Sequence, residues 1–387
     1  MSKPDQYDQY LSAEGPAALV IRQHLIPVEG ADGVLFPPTF AAGDGFPGGY
    51  NIDGDVRDRH VSHVDVVARS RIRVESEGDT SGKNVCLVDS VGSQANRIEP
   101  LFREDKYKAL VPQITVEAGD KTVSILEAGH RAGDALVRCS ELQEDLQNAF
   151  KALLSGNAEP LAKLAPTSLV FGVWDSRDTQ AKVPRVISST IRAFDVRKLT
   201  RSAVYTPPLD YSKLDVFSEE DKAKAEGNSK NPLAQRGFVH NPASGSHGGV
   251  IADGGIRRDA TLALAALRLL NVGNDKEKTL VLRRYILGLA LVAFTYRPGG
   301  YLRQGCLLVL NADREDAHSC VEVSSEGKRT DCNITHEDAL AFATKAAEAF
   351  GVGKDRPVSF DPVRAKTDVA EGKDKKPKKD KDPLPAK

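Results

Sequence analysis

The chain has 387 residues, 40% of them hydrophobic and 28% charged, with a formal charge of −1 at pH 7. That balance excludes a disordered or fibrous chain, and the length suits one large domain with insertions or two domains. A net charge near zero also excludes a protein that is basic throughout, so any nucleic-acid binding has to rest on where the charge sits. The five cysteines, Cys86, Cys139, Cys306, Cys320 and Cys332, are odd in number and widely scattered. They form no disulfide framework and read as reduced, cytoplasmic thiols. Met1–Tyr10 is polar and lacks the basic and apolar regions of a secretory signal. The most apolar run, Tyr285–Tyr296, has about half of the ~20 residues a membrane span needs. Arg283, Arg284 and Arg297 bracket it, so it reads as a buried helix, and no membrane partner is expected.

In chain order, Ala18–Val28 reads as a strand. The Gly- and Pro-rich stretch Gly30–Gly54 follows as a surface excursion. Val64–Val74 alternates and reads as a second strand, and Val85–Asp89 as a third. The last of these leads into a helix over Ser90–Arg97 with Ser90 as N-cap. Asp134–Leu154 places Leu136, Val137, Leu142, Leu146, Phe150 and Leu153 on one face of a helix. Leu169–Trp174 and Val186–Phe194 read as strands or strand ends around a charged turn, Asp175–Pro184. Residues 200–248 show no sustained periodicity and form a second long excursion. Arg257–Leu270 reads as an Ala/Leu helix fed by Gly248, Gly249, Gly254 and Gly255. Thr279–Thr295 is a further helix, Cys306–Leu310 a strand, and Thr335–Phe350 a helix capped by Thr335 and stopped by Gly351. From Lys354 onward Lys, Asp and Pro dominate, and residues 371–387 carry seven Lys against four acidic residues, a disordered tail. Strands interleaved with helices indicate an α+β or α/β sandwich.

Two stretches concentrate positive charge. Trp174–Arg201 carries Arg177, Lys182, Arg185, Arg192, Arg197, Lys198 and Arg201 against three aspartates, and Asp253–Arg303 carries nine Lys or Arg against four acidic residues. Cations of this kind supply phosphate affinity by counterion release without reading sequence, and guanidinium forks fit phosphate oxygens. A solvated charged face is the bland alternative. The glycines ahead of Arg257 and Arg258 suggest a helix N-terminus that meets a phosphate, although neither a P-loop nor a dinucleotide fingerprint is present. In Ser93-Gln94-Ala95-Asn96-Arg97, small and amide side chains open a helix and suit sugar or phosphate contact as well as plain capping. Metal candidates are poor: His60 and His63 with Asp65, and Cys320, Cys332 and His336, lack zinc-site spacing. No nucleophile motif is present. Asp89 and Asp175, each after an apolar run, have the chemistry of a general base or metal ligand, but most such aspartates are turn or cap residues.

Several segments together resemble a known family: Leu87–Arg97 (LVDSVGSQANR), His130–Ala135 (HRAGDA), Leu164–Lys182 (LAPTSLVFGVWDSRDTQAK), Gly248–Ile251 and Leu302–Cys306. In this order and at these separations the chain resembles the Cas-seven-type backbone subunit of the type I-G (formerly I-U) CRISPR Cascade complex, in the RAMP superfamily. The resemblance runs over roughly residues 15–310, and Phe171–Lys182 is its most specific segment. It implies an α+β fold, a modified RRM or ferredoxin-like core with finger and thumb insertions. It further implies one RNA-binding domain over residues 1–353, with insertions near 30–60 and 200–248 and a separate Lys-rich tail over 354–387. Copies would stack head to tail along the CRISPR RNA, present it to a target DNA strand and bind other Cascade subunits. No cofactor is implied and no catalysis; a separate helicase-nuclease cuts. The residues expected on RNA are Asn96 and Arg97 at the helix start, Arg131 in the second matching segment, and Arg177, Lys182, Arg185, Arg192, Arg257 and Arg258 along the phosphates. Arg236–Val239 is only a fragment of the aromatic signature by which ordinary RRM proteins stack bases. The competing readings are a metal-dependent ribonuclease of the same superfamily using Asp89 or Asp175, and a small-molecule enzyme using the Gly-rich turn at 248–255.

Overall fold

The computed structural model describes residues 6–54, 84–297 and 299–374. The expected strand Val64–Val74, the pair His60 and His63 and the end of the Lys-rich tail lie outside the described residues.

The architecture rests on the strands β1 (Ala18–Pro27), β2 (Val85–Asp89), β3 (Ile187–Phe194), β4 (Val196–Tyr205), β5 (Asn241–Ala252), β6 (Ile256–Ala263), β7 (Cys306–Leu310) and β8 (His318–Val323). The helices that pack with them are α1 (Val91–Ile98), α2 (Gln143–Leu154), α3 (Pro166–Phe171), α4 (Lys276–Thr295), α5 (His336–Phe350) and α6 (Pro362–Asp374). β1 is central. Its early residues pair with β8 and its last residues with β7, while its other edge pairs with β6 along its length. β6 pairs with β3, and β3 with β2, all antiparallel. In space the order is β7/β8, β1, β6, β3; in the chain it is β1, helices, β3, β6, α4, β7/β8. The last strand beside the first, and the third between the first and second, is the ferredoxin-like β-α-β-β-α-β arrangement. The α+β expectation therefore describes the fold.

The core lies on one face of this sheet. Leu19, Ile21, Ala260, Leu262 and Ile187 are buried there, in one cluster with Tyr285–Phe294 of α4. α5 crosses α4 closely: a Cβ added to Gly288 would lie 2.8 Å from the Cα of Ala343. Only glycine permits that approach.

Four local expectations are corrected. Arg257–Leu270 is not a helix; it is the central strand β6 followed by one helical turn, Leu264–Leu267. Its Ala and Leu satisfy a helical period, but two flanking strands claim its backbone, and Ile256, Arg258, Ala260 and Leu262 alternate inward with period two. The Gly248–Gly255 stretch is correspondingly the end of β5 and the turn into β6, not a helix entrance. Asp134–Leu154 is broken into Ala135–Arg138 and α2, because Ser140 bridges to Phe360 and its hydroxyl caps Leu142. Leu169–Phe171 is helical, within α3; Gly172, at φ 82°, ends that helix and starts the short strand Val173–Trp174, paired with Lys182–Val183.

Residues 200–248 are not irregular. β4 and β5 form a long antiparallel arm from Val196↔Ala252 to Tyr205↔Asn241, carrying the helices Glu219–Ala225 and Pro232–Gln235 between them. A small cluster of Ala225, Ala234 and Val239 holds that lobe together. The described part of the earlier excursion docks on the arm through Leu35, bridged to Val250, and Tyr50, whose hydroxyl accepts from the Gly249 N–H at 2.9 Å. The separation of a tail at 354 is also revised. Arg356–Ser359 adds in parallel to Ile114–Ala118, and α6 follows, so the folded chain runs on to residue 374.

Candidate nucleic-acid interface

The chain leaves β2 at Asp89 and turns into α1, with the Ser90 hydroxyl accepting from the Ser93 N–H at 3.2 Å. A cationic groove is walled by Gly129–Gly133 and the Val173–Val183 hairpin, and α1 reaches it through Asn96, whose side chain meets Arg131. The hollow measures about 660 Å³ and is lined by Arg131, Trp174, Arg177, Lys182 and Arg185, and by Arg138, which is paired with Asp368 at 3.0 Å.

Arg131 anchors this groove. It is buried, at a positive φ of 54° that a non-glycine residue seldom adopts. Its Nε donates to Glu99 Oε2 at 2.6 Å, Nη1 to the Gly172 carbonyl at 3.4 Å and Nη2 to Asn96 Oδ1 at 3.5 Å. Its guanidinium also lies 5.3 Å from the centre of the Phe171 ring. Arg185 Nε donates to the Phe171 carbonyl at 3.0 Å, and no carboxylate among the described residues pairs with it. Burial, and then the neighbouring Arg131, hold its pKa below the usual guanidinium value. Gly172 makes this crowding feasible, since a Cβ there would meet Arg185 Cγ at 2.8 Å. Lys182 Nζ sits 5.6 Å above the Trp174 ring, which is 57% exposed for so large an apolar group. Arg177 is exposed on the hairpin turn.

Asp175 shapes that turn. It is buried and accepts from the N–H groups of Asp178 (3.3 Å) and Thr179 (2.8 Å) and from the Thr179 hydroxyl (2.6 Å). Its oxygens are committed to presenting Arg177. Asp89 is equally committed. At 1% exposure it accepts from Gln94 Nε2 (2.6 Å), Arg97 Nε (3.2 Å) and Arg303 Nη2 (3.3 Å). Among the described residues no group of three or more His, Cys, Asp or Glu is placed to hold a metal ion.

The structure thus brings Asn96, Arg131, Arg177, Lys182 and Arg185 together from three separate segments. It does not bring in the others. Arg97 turns to Asp89 and to the Leu302 carbonyl, 2.9 Å from its Nη2. Arg192 and Arg257 are register partners on the opposite face of the sheet. There Arg257 is held by Asp259 at 3.0 Å and lies 5.0 Å from the Phe194 ring, with Arg22 also near Asp259 at 3.4 Å. Arg258 faces the core side and is 5% exposed, because β6 alternates where a helix had been expected. Trp174, the chain's one tryptophan, was not among the expected contacts. Its position at the edge of the charged turn was the available signal.

The buried pair also sets a pH response. Burial pushes the Glu99 carboxyl up to about 7, against the opposing pull of Arg131. The folded state then keeps a proton that the unfolded chain has released, so the stability from this group is lost as pH rises toward and through 7. The expected result is a decline of about 1–3 kcal/mol in wild-type stability between pH 5 and 8 that is absent in Glu99→Gln, read by urea unfolding at each pH. Parallel pH curves for the two proteins would refute it.

Among the described residues no helix is long and apolar enough to cross a membrane. A family model described as CRISPR-associated protein GSU0053 matches residues 19–198, just under half of the chain. The matched interval includes all but the first residue of β1, and β2, α1, the whole groove and β3. The match indicates a CRISPR-associated protein family and supports a role in CRISPR defence. No curated protein matches the chain.

Proposed function

We propose that this chain is a non-catalytic, cytoplasmic backbone subunit of a type I Cascade complex of the I-G kind, binding CRISPR RNA through the groove between α1 and the Val173–Val183 hairpin. The observation that carries this reading is the convergence of Arg177, Lys182 and Arg185 beside an exposed tryptophan, with Arg131 buried on Glu99 as the anchor of the groove. Cations without base-specific geometry grip phosphate, and an exposed indole stacks on any base, which suits a protein that must accept every guide. The β4/β5 arm is the proposed thumb and the excursion docked on it a proposed finger. Val204, Tyr205, Leu209, Leu214 and Val216 are exposed on the arm and its lobe, which suits contact with bases or with the next copy in a head-to-tail filament. Other Cascade subunits and the target DNA strand would engage the assembled array.

The ribonuclease reading has less support. It needs Asp89 or Asp175 to bind a cation, and each already accepts three hydrogen bonds that hold a structural element in place. The small-molecule reading loses its basis with the helix it required after residue 255.

The test is fluorescence anisotropy with a single-stranded repeat–spacer RNA and a scrambled RNA at several salt concentrations, with Mg²⁺ present and RNA integrity followed. Similar, salt-sensitive affinities on intact RNA are expected. Intrinsic fluorescence reports on the groove directly, because Trp174 is the single tryptophan. RNA should quench it, and Trp174→Ala should weaken binding by about 1–3 kcal/mol while Trp174→Phe keeps most of the affinity. Tight binding with no quenching would move the RNA off this groove.

A further inference from the structure

A second cavity, apart from the groove, opens on the core side of the sheet between β1, β8, the end of α4 and the start of α5. It measures about 920 Å³ and is lined in part by Arg258, Arg297 and His318. Arg258 is 5% exposed. Its Nε donates to the Ser189 hydroxyl at 2.9 Å and its Nη1 to Gln23 Oε1 at 2.8 Å. Both acceptors are neutral, and no carboxylate among the described residues forms an ion pair with it. Burial lowers its pKa to about 10, so it remains a cation at neutral pH. A buried cation without a counter-charge is costly unless an anion arrives to neutralise it.

The neighbouring groups favour that anion. Gln23 Oε1 accepts from Arg258, so its Nε2 is the atom that meets His318 Nδ1 at 3.3 Å. Nδ1 is then the acceptor, and the imidazole proton sits on Nε2 as a donor. Burial first, then Arg297 and Arg258, lower the His318 pKa, so the ring is neutral. Arg297 is exposed and forms no ion pair among the described residues. The carboxylates that border the cavity, Asp331 and Glu337, are exposed. Tyr296 and His336, both partly exposed, add aromatic lining to the same space, while Tyr107 is buried with its hydroxyl 2.8 Å from His336 Nε2.

We infer that this cavity binds one nucleoside phosphate, its phosphate between Arg258 and Arg297 with the His318 Nε2–H as a further donor, and its base against Tyr296 and His336. A cavity of this volume accommodates a ligand of nucleotide size. The inference is independent of the groove, since the two sites share no residue.

The experiment is isothermal titration of the full chain, freed of RNA, with adenosine 5′-monophosphate, uridine 5′-monophosphate, inorganic phosphate and adenosine. Saturable binding of the monophosphates is expected, weaker for inorganic phosphate and absent for adenosine at the same concentrations. Arg258→Gln and Arg297→Ala should each weaken the monophosphates by about tenfold or more, and Arg177→Ala should leave them unchanged. If Arg258→Gln does not fold, the exposed Arg297→Ala carries the test alone. Competition by a 5′-phosphorylated trinucleotide would identify the occupant as an RNA end, and its absence a free nucleotide. Adenosine binding as tightly as its monophosphate, affinity unchanged in Arg297→Ala, or no saturable heat with any phosphate would overturn the inference. Loss of RNA binding in groove variants with monophosphate binding intact would separate the two sites.

Discussion

Replacing Asp89 by alanine is expected to destabilise the protein by about 3–5 kcal/mol, the usual result of removing one partner from a buried charge network. The carboxylate is 1% exposed and is the common acceptor for Gln94, Arg97 and Arg303. Its loss strands two guanidinium groups that are only 32% and 25% exposed. Arg303 has little in reserve, because its Nη1 is already buried without a hydrogen-bond partner among the described residues. The disturbance also spreads, since Gln94 Oε1 accepts from Ser189 at 2.9 Å and Ser189 accepts from Arg258 at 2.9 Å. One polar row therefore runs from β2 through α1 to β3 and β6. Urea unfolding of wild type, Asp89→Ala and Asp89→Asn reads the effect, with asparagine intermediate because it keeps an acceptor oxygen. The same variants separate the two functional readings. A metal-binding aspartate would give Asp89→Ala with near-normal stability and lost RNA cleavage, the reverse of what the hydrogen bonding predicts.

The second large effect concerns the groove. Arg177→Ala with Arg185→Ala should weaken RNA binding by about 10–100-fold near physiological salt and lower the salt slope by about two contacts, alike for guide and scrambled RNA. Arg177 is exposed on its turn, so its single variant should unfold at the wild-type urea midpoint. Arg185 also holds the Phe171 carbonyl, so a small loss of stability is expected from that position alone. A loss confined to one RNA sequence would mean base readout and would refute phosphate tracking. By contrast, Arg257→Ala should have a smaller effect on RNA, because Asp259 already neutralises it at 3.0 Å.

How much of the fold and the groove was legible in the sequence depended on the range of the signal. Ser90 and Thr335 cap their helices where the sequence places them, and Gly351 ends α5 in a left-handed conformation. Such signals act within one helical turn, so the local sequence carries them whole. The loop around Phe171–Lys182 was also legible as special, from the cations and aspartates of the polar stretch that begins at Trp174 and from the family resemblance. The break in the 134–154 helix was not, because Phe360, the residue that pairs with Ser140, lies more than two hundred positions away in the chain.

By itself, then, the amino-acid sequence determined the strong helices, most of the strands of the sheet and the charged segments from which a nucleic-acid surface could be made. Only the tertiary structure decided which charges are usable. Arg131 and Arg185 are 54 positions apart in the chain, yet one lowers the pKa of the other. Arg257 and Arg258 are adjacent, yet they lie on opposite faces of one sheet, one against Asp259 and the other buried without a counter-charge among the described residues. The physical reason is the period of the backbone. A run rich in Ala and Leu with two arginines satisfies a helix or a strand equally well on its own, and the neighbouring edges of β1 and β3, which need hydrogen-bond partners, choose the strand.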